Sequence, residues 1–242
     1  MPRARAVTER PPAVVNLPNA ISAARILVSP LIAFLPFVPS PGWRIVAFVL
    51  YIVSAVSDYV DGWLARSRGL ITDLGKTLDP LADKLLLIAT FVPMLVLQGA
   101  ATDPVASAMG SLLGVDAASR AAFPFQTWAG PVTLPWWVVA VVLGREAFMT
   151  AFRQLAVRRG TVIAAIGSAK WKAGMQYVWV GAAYFWFAGH TLAVRDGWRA
   201  PAWDFVGNAV GSIGVVTMVV SVVLTFWSLV LYLRRHGDLI AR

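Results

Sequence analysis

The chain has 242 residues, of which 58% are hydrophobic and only 14% are charged, a composition typical of a helical protein that crosses a membrane several times. The formal net charge is +9, but the basic residues lie between apolar runs instead of forming one soluble basic face, which argues against nucleic acid as a partner. With no cysteine, the chain can form no disulfide and no thiolate metal site, so any metal must be bound by oxygen or imidazole ligands.

The apolar runs predict an all-α, polytopic integral membrane protein. The first 15 residues are rich in Arg and Pro and predict a mobile basic cytoplasmic tail. Residues 16–242 predict one membrane domain, since several stretches approach the ~20 apolar residues that cross a bilayer. The six predicted transmembrane helices cover residues 20–38, 43–64, 78–97, 134–155, 174–188 with their flanks, and 205–233. Residues 98–131 predict a long external loop without chemistry, with a short interfacial helix near 105–113.

Lys and Arg are unevenly distributed between the two sides of these predicted helices. The outer side is expected to hold Arg44, Arg120, Arg195 and Arg199, and the inner side holds the other basic residues. Cytoplasmic segments of membrane proteins carry an excess of Lys and Arg. The bias therefore predicts a multi-pass protein of the cell inner (plasma) membrane, with both termini and the site described next in the cytoplasm.

Four carboxylates flank the junction of the second and third predicted helices. Asp58 and Asp61 end the second helix, and Asp79 and Asp83 begin the third. Residues three or four apart lie on one face of a helix, so each pair presents its carboxylates in one direction. Ionisable groups at membrane depth indicate a functional site. Carboxylate-only ligands suit hard divalent ions such as Mg²⁺ or Mn²⁺, and two such ions form the usual clamp for displacement at phosphorus.

The segment between the two acidic pairs contains small residues and groups that can hold a nucleotide. Small side chains let a flat base approach the backbone, and an Arg presents a planar fork that matches phosphate oxygens. The loop that follows offers hydrogen-bonding groups to a nucleotide head. The expected donor-binding residues in this segment are Gly62, Ala65, Arg66, Thr72, Asp73 and Gly75.

This segment resembles the signature of the CDP-alcohol phosphotransferases. The signature reads D-x2-D-G-x2-A-R-x8-G-x3-D-x3-D, and it is met at Asp58, Asp61, Gly62, Ala65, Arg66, Gly75, Asp79 and Asp83. The resemblance implies transfer of a phosphatidyl group from CDP-diacylglycerol to an alcohol, with release of CMP. It also implies a homodimer and a metal site of one or two ions, made by the four Asp residues, in which Asp83 is also the general base.

Arg25 lies one turn inside the first predicted helix. On its own it is equally well interpreted as a snorkelling charge at the membrane interface. The resemblance favours a functional role, because similar polar and Arg positions in the family's first helix face the nucleotide. Arg25 is therefore added to the expected donor-binding residues.

A second group of charged residues lies near the cytoplasmic ends of the fourth and fifth predicted helices. Arg145, Glu146 and Arg153 belong to the fourth helix, and Lys170 and Lys172 begin the fifth. Within the family, an RE-x6-R pattern followed by K-x-K-x3-Q resembles the phosphatidylglycerophosphate synthases, which use glycerol 3-phosphate. We expect Arg145, Arg153 and Lys170 to bind the acceptor phosphate. The match departs from that pattern at positions 169 and 173, where Ala replaces the expected Gly and Thr.

Other interpretations remain open at this point. The acceptor could instead be inositol phosphate, or phosphatidylglycerol to give cardiolipin. A divalent-cation transporter is a remote alternative, since residues 45–56 and 85–97 are almost wholly apolar and offer no polar pathway. His190 and His236 are expected at surface or interfacial positions, and the spacing of Gly207, Gly211 and Gly214 predicts close helix packing.

Overall fold

The computed structural model describes residues 16–68, 72–116, 119, 123–159, 167–198 and 201–236; the predicted basic tail, 1–15, lies outside this part. The described residues form helices and no named strand, in agreement with the all-α prediction. Their helices are α1 (Leu17–Phe34), α2 (Pro41–Ser67), α3 (Asp73–Gln98), α4 (Pro104–Leu112), α5 (Trp136–Arg158), α6 (Gly167–Asp196) and α7 (Pro201–His236), with a short 3-10 turn at Leu35–Phe37.

Four helices of the described part are long and apolar enough to cross a membrane. These candidate spans are Leu17–Phe37, Pro41–Leu64, Asp73–Gln98 and Pro201–Arg234. Helix α5 interrupts its apolar run with Arg145, Glu146 and Arg153, and α6 is rich in Trp, Tyr and Gly, which are less apolar than Leu or Val. All six predicted helices exist as long helices, but the count of six membrane spans is not confirmed by their length and composition.

The helix ends follow from local capping. Asn16 caps α1 by accepting a hydrogen bond from the Asn19 backbone N–H, and Pro18 occupies the first turn, where a missing N–H costs nothing. Asn19 and Ser22 lie inside α1 and are buried. Thr72 caps α3 by accepting from the Gly75 N–H, so α3 begins at Asp73, five residues before the predicted boundary.

Helix α6 forms the centre of the bundle. Its Trp179 and Tyr184 are fully buried. The Tyr184 hydroxyl donates to the backbone oxygens of Ile32 in α1 and Ala89 in α3, at 3.0 and 3.2 Å. Trp179 packs edge-on against Phe91 of α3, with ring centroids 4.9 Å apart. These contacts hold α1 and α3 against α6 and so fix the position of α3, which carries Asp79 and Asp83, relative to α1.

The predicted external loop, 98–131, packs back onto the bundle after the predicted short helix, which is present as α4. Phe125 pairs with Val132 through two backbone hydrogen bonds of 2.9 and 2.8 Å, and its ring is buried. Close packing at the three glycines of α7 is observed, but only Gly207 faces another helix, through Trp186 of α6. Gly211 and Gly214 instead lie against this loop. The approach is so close that a Cβ at either position would collide with loop atoms.

Candidate active site

The acidic residues of α2 and α3 surround the guanidinium of Arg25 from α1. Arg25 Nη1 donates to Asp58 Oδ1 at 2.6 Å and to Asp83 Oδ1 at 3.0 Å. Its Nη2 lies 3.4 Å from Asp61 Oδ2. The Arg25 side chain is only 3% exposed, which excludes the snorkelling interpretation of its sequence position. A buried Arg requires carboxylate partners, and three of the predicted site residues supply them.

Ser22 connects the fourth carboxylate to this cluster. Its hydroxyl donates to Asp79 Oδ1 at 2.6 Å and lies 3.4 Å from Asp61 Oδ2. Ser22 precedes Arg25 by three residues and therefore lies on the same face of α1. The structure thus brings Asp58, Asp61, Asp79 and Asp83 together around two side chains of one helix. We call these four carboxylates, with Arg25 and Ser22, the acid cluster.

The donor chemistry of the acid cluster fits a hard divalent cation. The four anionic groups of the cluster are all carboxylates. The single guanidinium of Arg25 cannot neutralise four negative charges at the junction of membrane helices. The present arrangement is not a preformed cage, because Arg25 lies between the acids. Accordingly, no three acidic or imidazole side chains of the described part are placed to enclose one ion. Arg25 contacts one oxygen each of Asp58, Asp61 and Asp83, so a metal bound through those oxygens would have to replace it.

The predicted donor-binding residues occupy several different environments. Thr72 binds Asn19 at 2.8 Å and caps α3, so its hydroxyl stabilises the helix junction. Asp73 is exposed and pairs with Lys76 at 2.8 Å. Gly75 is buried against Asn19, whose Oδ1 would lie 2.7 Å from an added Cβ. Gly62 is partly buried on α2. The side chains of residues 65 and 66 lie outside the described part.

A cavity of about 260 Å³ joins the acid cluster to the second group of charged residues. Asp83 lines it on one side, and side chains of α5 and α6 line the other. The charged and polar residues that line the cavity are Asp83, Lys84, Thr90, Arg145, Glu146, Arg153, Lys172, Gln176, Tyr51 and Tyr177. The cavity therefore places a carboxylate of the cluster and several cations around one space.

Glu146 accepts hydrogen bonds from two of the cations that line this cavity. Its Oε1 accepts hydrogen bonds from Arg145 Nη1, at 2.9 Å, and from Lys172 Nζ. Helix α7 contributes two further contacts that sequence analysis missed. Ser228 Oγ lies 3.1 Å from Arg145 Nη2, and the Tyr232 hydroxyl lies 3.4 Å from Arg153 Nη2. No motif in the sequence relates α7 to α5, so these partners become visible only in the folded chain.

Lys172 lines this cavity, although the acceptor-binding Lys predicted from the sequence is Lys170. Lys172 is buried and lines the cavity, whereas the Lys170 side chain lies outside the described part. Residues two apart on a helix point to nearly opposite faces, so the sequence did not determine which Lys faces inward. Tyr177 was also missed: its hydroxyl donates to Asp58 Oδ2 at 2.9 Å and links α6 directly to the acid cluster.

Comparisons with known proteins agree on one family. Residues 15–227 match the model of the CDP-alcohol phosphatidyltransferase family. The chain is 30% identical to a cardiolipin synthase (CMP-forming) of Oryza sativa subsp. japonica, over 93% of this chain and 58% of that protein. It is 39% identical to a CDP-diacylglycerol–glycerol-3-phosphate 3-phosphatidyltransferase of Rickettsia bellii, over 33% of this chain and 44% of the relative.

A Bacillus subtilis protein of the same name as the Rickettsia relative is 30% identical, over 69% of this chain and 75% of the relative. The chain thus spans about half the length of the first two relatives and three quarters of the third. The names of these relatives give one acceptor, glycerol 3-phosphate, and one different product, cardiolipin.

Proposed function

The chain belongs to the CDP-alcohol phosphatidyltransferase family, and from this premise we propose that it transfers a phosphatidyl group from CDP-diacylglycerol to glycerol 3-phosphate. The observation that carries the proposal is the cavity in which Asp83 shares one space with Arg145, Arg153 and Lys172. A reaction between a nucleotide lipid and a phosphorylated alcohol needs such a space. One end must hold the reacting hydroxyl and the other must neutralise the phosphate.

The reaction proceeds by displacement at the phosphorus that carries the diacylglycerol. A hydroxyl oxygen of glycerol 3-phosphate forms a bond to this phosphorus, and the bond from phosphorus to the CMP oxygen breaks. CMP leaves with the electron pair of that bond, and the acceptor hydroxyl loses its proton. Asp83 is the general base that takes this proton, since it lines the cavity and its side chain is 54% exposed. The products are phosphatidylglycerophosphate and CMP.

The donor nucleotide binds beside the acid cluster. Asp58, Asp61, Asp79 and Asp83 would hold the divalent cation on which this family generally depends, and we propose one or two ions of Mg²⁺ or Mn²⁺. When bound, such ions would supply positive charge that stabilises the pyrophosphate as CMP leaves. Arg25 would bind the phosphates of the donor, because its planar fork fits phosphate oxygens as well as carboxylates. Arg66 binds the donor phosphates from the end of α2.

Removal of divalent cations is expected to abolish turnover. The four carboxylates cannot approach the donor pyrophosphate unless positive charge offsets their repulsion, and Arg25 alone is insufficient. The measurement is CMP release from CDP-diacylglycerol with glycerol 3-phosphate, after extensive washing with a chelator and then with added Mg²⁺ or Mn²⁺. We expect activity to disappear with the chelator and to return with either ion. Full turnover in excess chelator would contradict the proposed role of the acid cluster.

The acceptor phosphate binds the cations at the far end of the cavity. Arg145 and Lys172 both donate to one oxygen of Glu146, which holds the two cations side by side. Both cations keep further N–H groups for an anion, and the exposed Arg153 is held in place by Tyr232. Lys170, on the first turn of α6, completes the proposed set of acceptor-binding residues.

Phosphatidylglycerol is the second candidate acceptor. The observation that favours it is the similarity to the rice cardiolipin synthase, which covers 93% of this chain. Phosphatidylglycerol also offers a free hydroxyl, but its phosphate is a diester with one negative charge, and the cavity cations therefore match it less well than the dianion of glycerol 3-phosphate. The two acceptors are separated by an assay that supplies each alone.

The proposed setting of the enzyme is a bilayer with the acid cluster at the cytoplasmic surface. In this arrangement α5 and α6 complete six membrane spans, because each is long enough to cross the ~30 Å hydrocarbon core. The excess of Lys and Arg around the acid cluster supports the cytoplasmic orientation in the inner membrane. A homodimer is proposed from the family alone.

A further inference from the structure

A second cavity lies between α6 and α7, at the end of the bundle away from the acid cluster. Its volume is about 550 Å³, within the ~300–1,000 Å³ typical of small-molecule sites. It shares no lining residue with the first cavity. On α6, Tyr177 contacts Asp58 and His190 lines the second cavity, so the two sites are separated by about 20 Å of helix at 1.5 Å per residue.

Three indole rings form much of the wall of this second cavity. Trp186 of α6 and Trp203 of α7 stack with ring centroids 5.9 Å apart, and Trp198 meets Trp203 edge to face at 5.3 Å. The two glycines opposite these rings allow this close approach, since an added Cβ would lie 2.7 Å from Trp203 at Gly189 and 3.1 Å from Trp186 at Gly207. The wall is therefore a packed aromatic surface, with Trp198 exposed at its edge.

The buried end of the cavity presents hydrogen-bond donors. Gln126 and Asn208 line this end of the cavity, and their side-chain amides supply the donors. The indole of Trp186 is only 3% exposed and contributes apolar wall. An acceptor-rich group, such as a phosphodiester, fits this end.

Cationic charge lies behind the buried end. The His190 ring packs against Trp186 and Phe123, with centroids 5.1 and 5.4 Å away. The buried Arg44 guanidinium stacks on the Phe123 ring, 4.6 Å from its centroid. It also donates a hydrogen bond to Thr191, the residue after His190. Positive charge at this end favours an anionic group in the cavity.

The exposed rim of the cavity has the opposite character. Asp204, in the first turn of α7, is the one acidic residue among the described residues that line the cavity, and it is exposed. Carboxylates together with indole faces form favourable sites for organic ammonium groups. The cavity thus has donors and nearby cationic charge at its buried end and a carboxylate with an exposed indole at its rim.

We propose that this cavity binds the headgroup of an aminophospholipid. The phosphodiester accepts hydrogen bonds from the side-chain amides of Gln126 and Asn208, and the ammonium group binds Asp204 and Trp198 at the rim. Trp residues of membrane proteins concentrate at the level of lipid headgroups, and the surrounding bilayer supplies such lipids at high local concentration. Free phosphoethanolamine carries the same polar groups, so the test must separate the lipid from the soluble molecule.

The test is native mass spectrometry of the full chain in detergent, with short-chain phosphatidylethanolamine and phosphatidylmethanol titrated separately, because the second lipid has the phosphodiester but neither an ammonium group nor an acceptor hydroxyl. We expect tighter binding of phosphatidylethanolamine, with the affinity about tenfold lower in Asp204→Asn, which loses a charge-assisted contact. Trp198→Leu should lower it about threefold, since the indole contributes one exposed cation–π contact. Asp196→Asn is the matched control, because Asp196 is an exposed acid nearby that pairs with Arg195 and does not line the cavity.

Three outcomes would overturn the proposal. One is equal binding of the two lipids by the unmodified chain, and another is an equal effect of Asp204→Asn and Asp196→Asn. The third is competition by free phosphoethanolamine as effective as that of the lipid, which would assign the cavity to a soluble ligand. The proposal does not rest on the proposed reaction. CMP release measured in parallel should be the same in Asp204→Asn as in the unmodified chain.

Discussion

Asp83→Asn is expected to lower the rate of CMP release by about 10²–10⁴-fold, the usual contribution of a general base. Asn is nearly isosteric with Asp, and its side-chain oxygen can still accept the hydrogen bond that Arg25 Nη1 donates at 3.0 Å. The fold of the acid cluster should therefore survive. What is lost is a group that can take the proton of the acceptor hydroxyl. The rate is measured under saturating CDP-diacylglycerol and glycerol 3-phosphate.

The role of Asp83 is distinguished from metal binding by a second measurement. Calorimetry with CDP and Mg²⁺ should give nearly unchanged nucleotide binding in Asp83→Asn. Asp58→Asn, Asp61→Asn and Asp79→Asn should instead weaken both turnover and its response to added metal. Asp196→Asn, at the other end of the bundle, serves as the control and should behave as the unmodified chain. Loss of CDP binding in Asp83→Asn would identify Asp83 primarily as a ligand.

Arg145→Ala is expected to lower kcat/KM for glycerol 3-phosphate about ten- to a hundredfold. Loss of one charge-assisted contact to a phosphate in a partly desolvated cavity costs about 1.5–3 kcal/mol. Arg145 is buried and held by Glu146 and Ser228, so its guanidinium has a fixed position from which to bind an anion. The KM for CDP-diacylglycerol should change little. Arg153→Ala should act in the same direction.

Two variants control the Arg145 prediction. Arg158→Ala removes an exposed cation from the last turn of α5 that does not line the cavity, and it should leave acceptor kinetics unchanged. Arg66→Ala should show the reverse pattern, with a raised KM for CDP-diacylglycerol and little effect on the acceptor. Wild-type acceptor kinetics in both Arg145→Ala and Arg153→Ala would remove the basis for a phosphate site in this cavity.

The convergence of the four Asp side chains was predictable from the sequence, because their spacing places each pair on one face of a helix. Pairs of Asp separated by three and four residues share a helix face, and the short connection from Asp61 to Asp79 brings the two faces together. The sequence could not place Arg25 among them, since contacts between α1, α2 and α3 depend on helix packing. It also could not identify Ser22 or Tyr177 as neighbours of the acids, because no local pattern distinguishes them from other polar residues.

The second site was harder to predict because it depends on the rotation of α6. Whether Lys170 or Lys172 faces the cavity depends on where α6 begins and how it packs against its neighbours. Two Lys residues separated by one position do not determine either of these. The contacts of Ser228 and Tyr232 in α7 with Arg145 and Arg153 could not be predicted either, because they also depend on how the helices pack. Thr72 is different: a Thr directly before a helix is a standard N-cap signal. The structure shows this capping role, and nucleotide binding by Thr72 stays a prediction.

The most direct measurement is product formation from CDP-diacylglycerol with glycerol 3-phosphate, phosphatidylglycerol and inositol phosphate, each supplied alone. We predict CMP release and phosphatidylglycerophosphate with glycerol 3-phosphate at a rate well above that with either alternative, and selective loss of this activity in Arg145→Ala. Cardiolipin formed from phosphatidylglycerol, or an inositol lipid formed from inositol phosphate, with no product from glycerol 3-phosphate, would contradict the proposed acceptor.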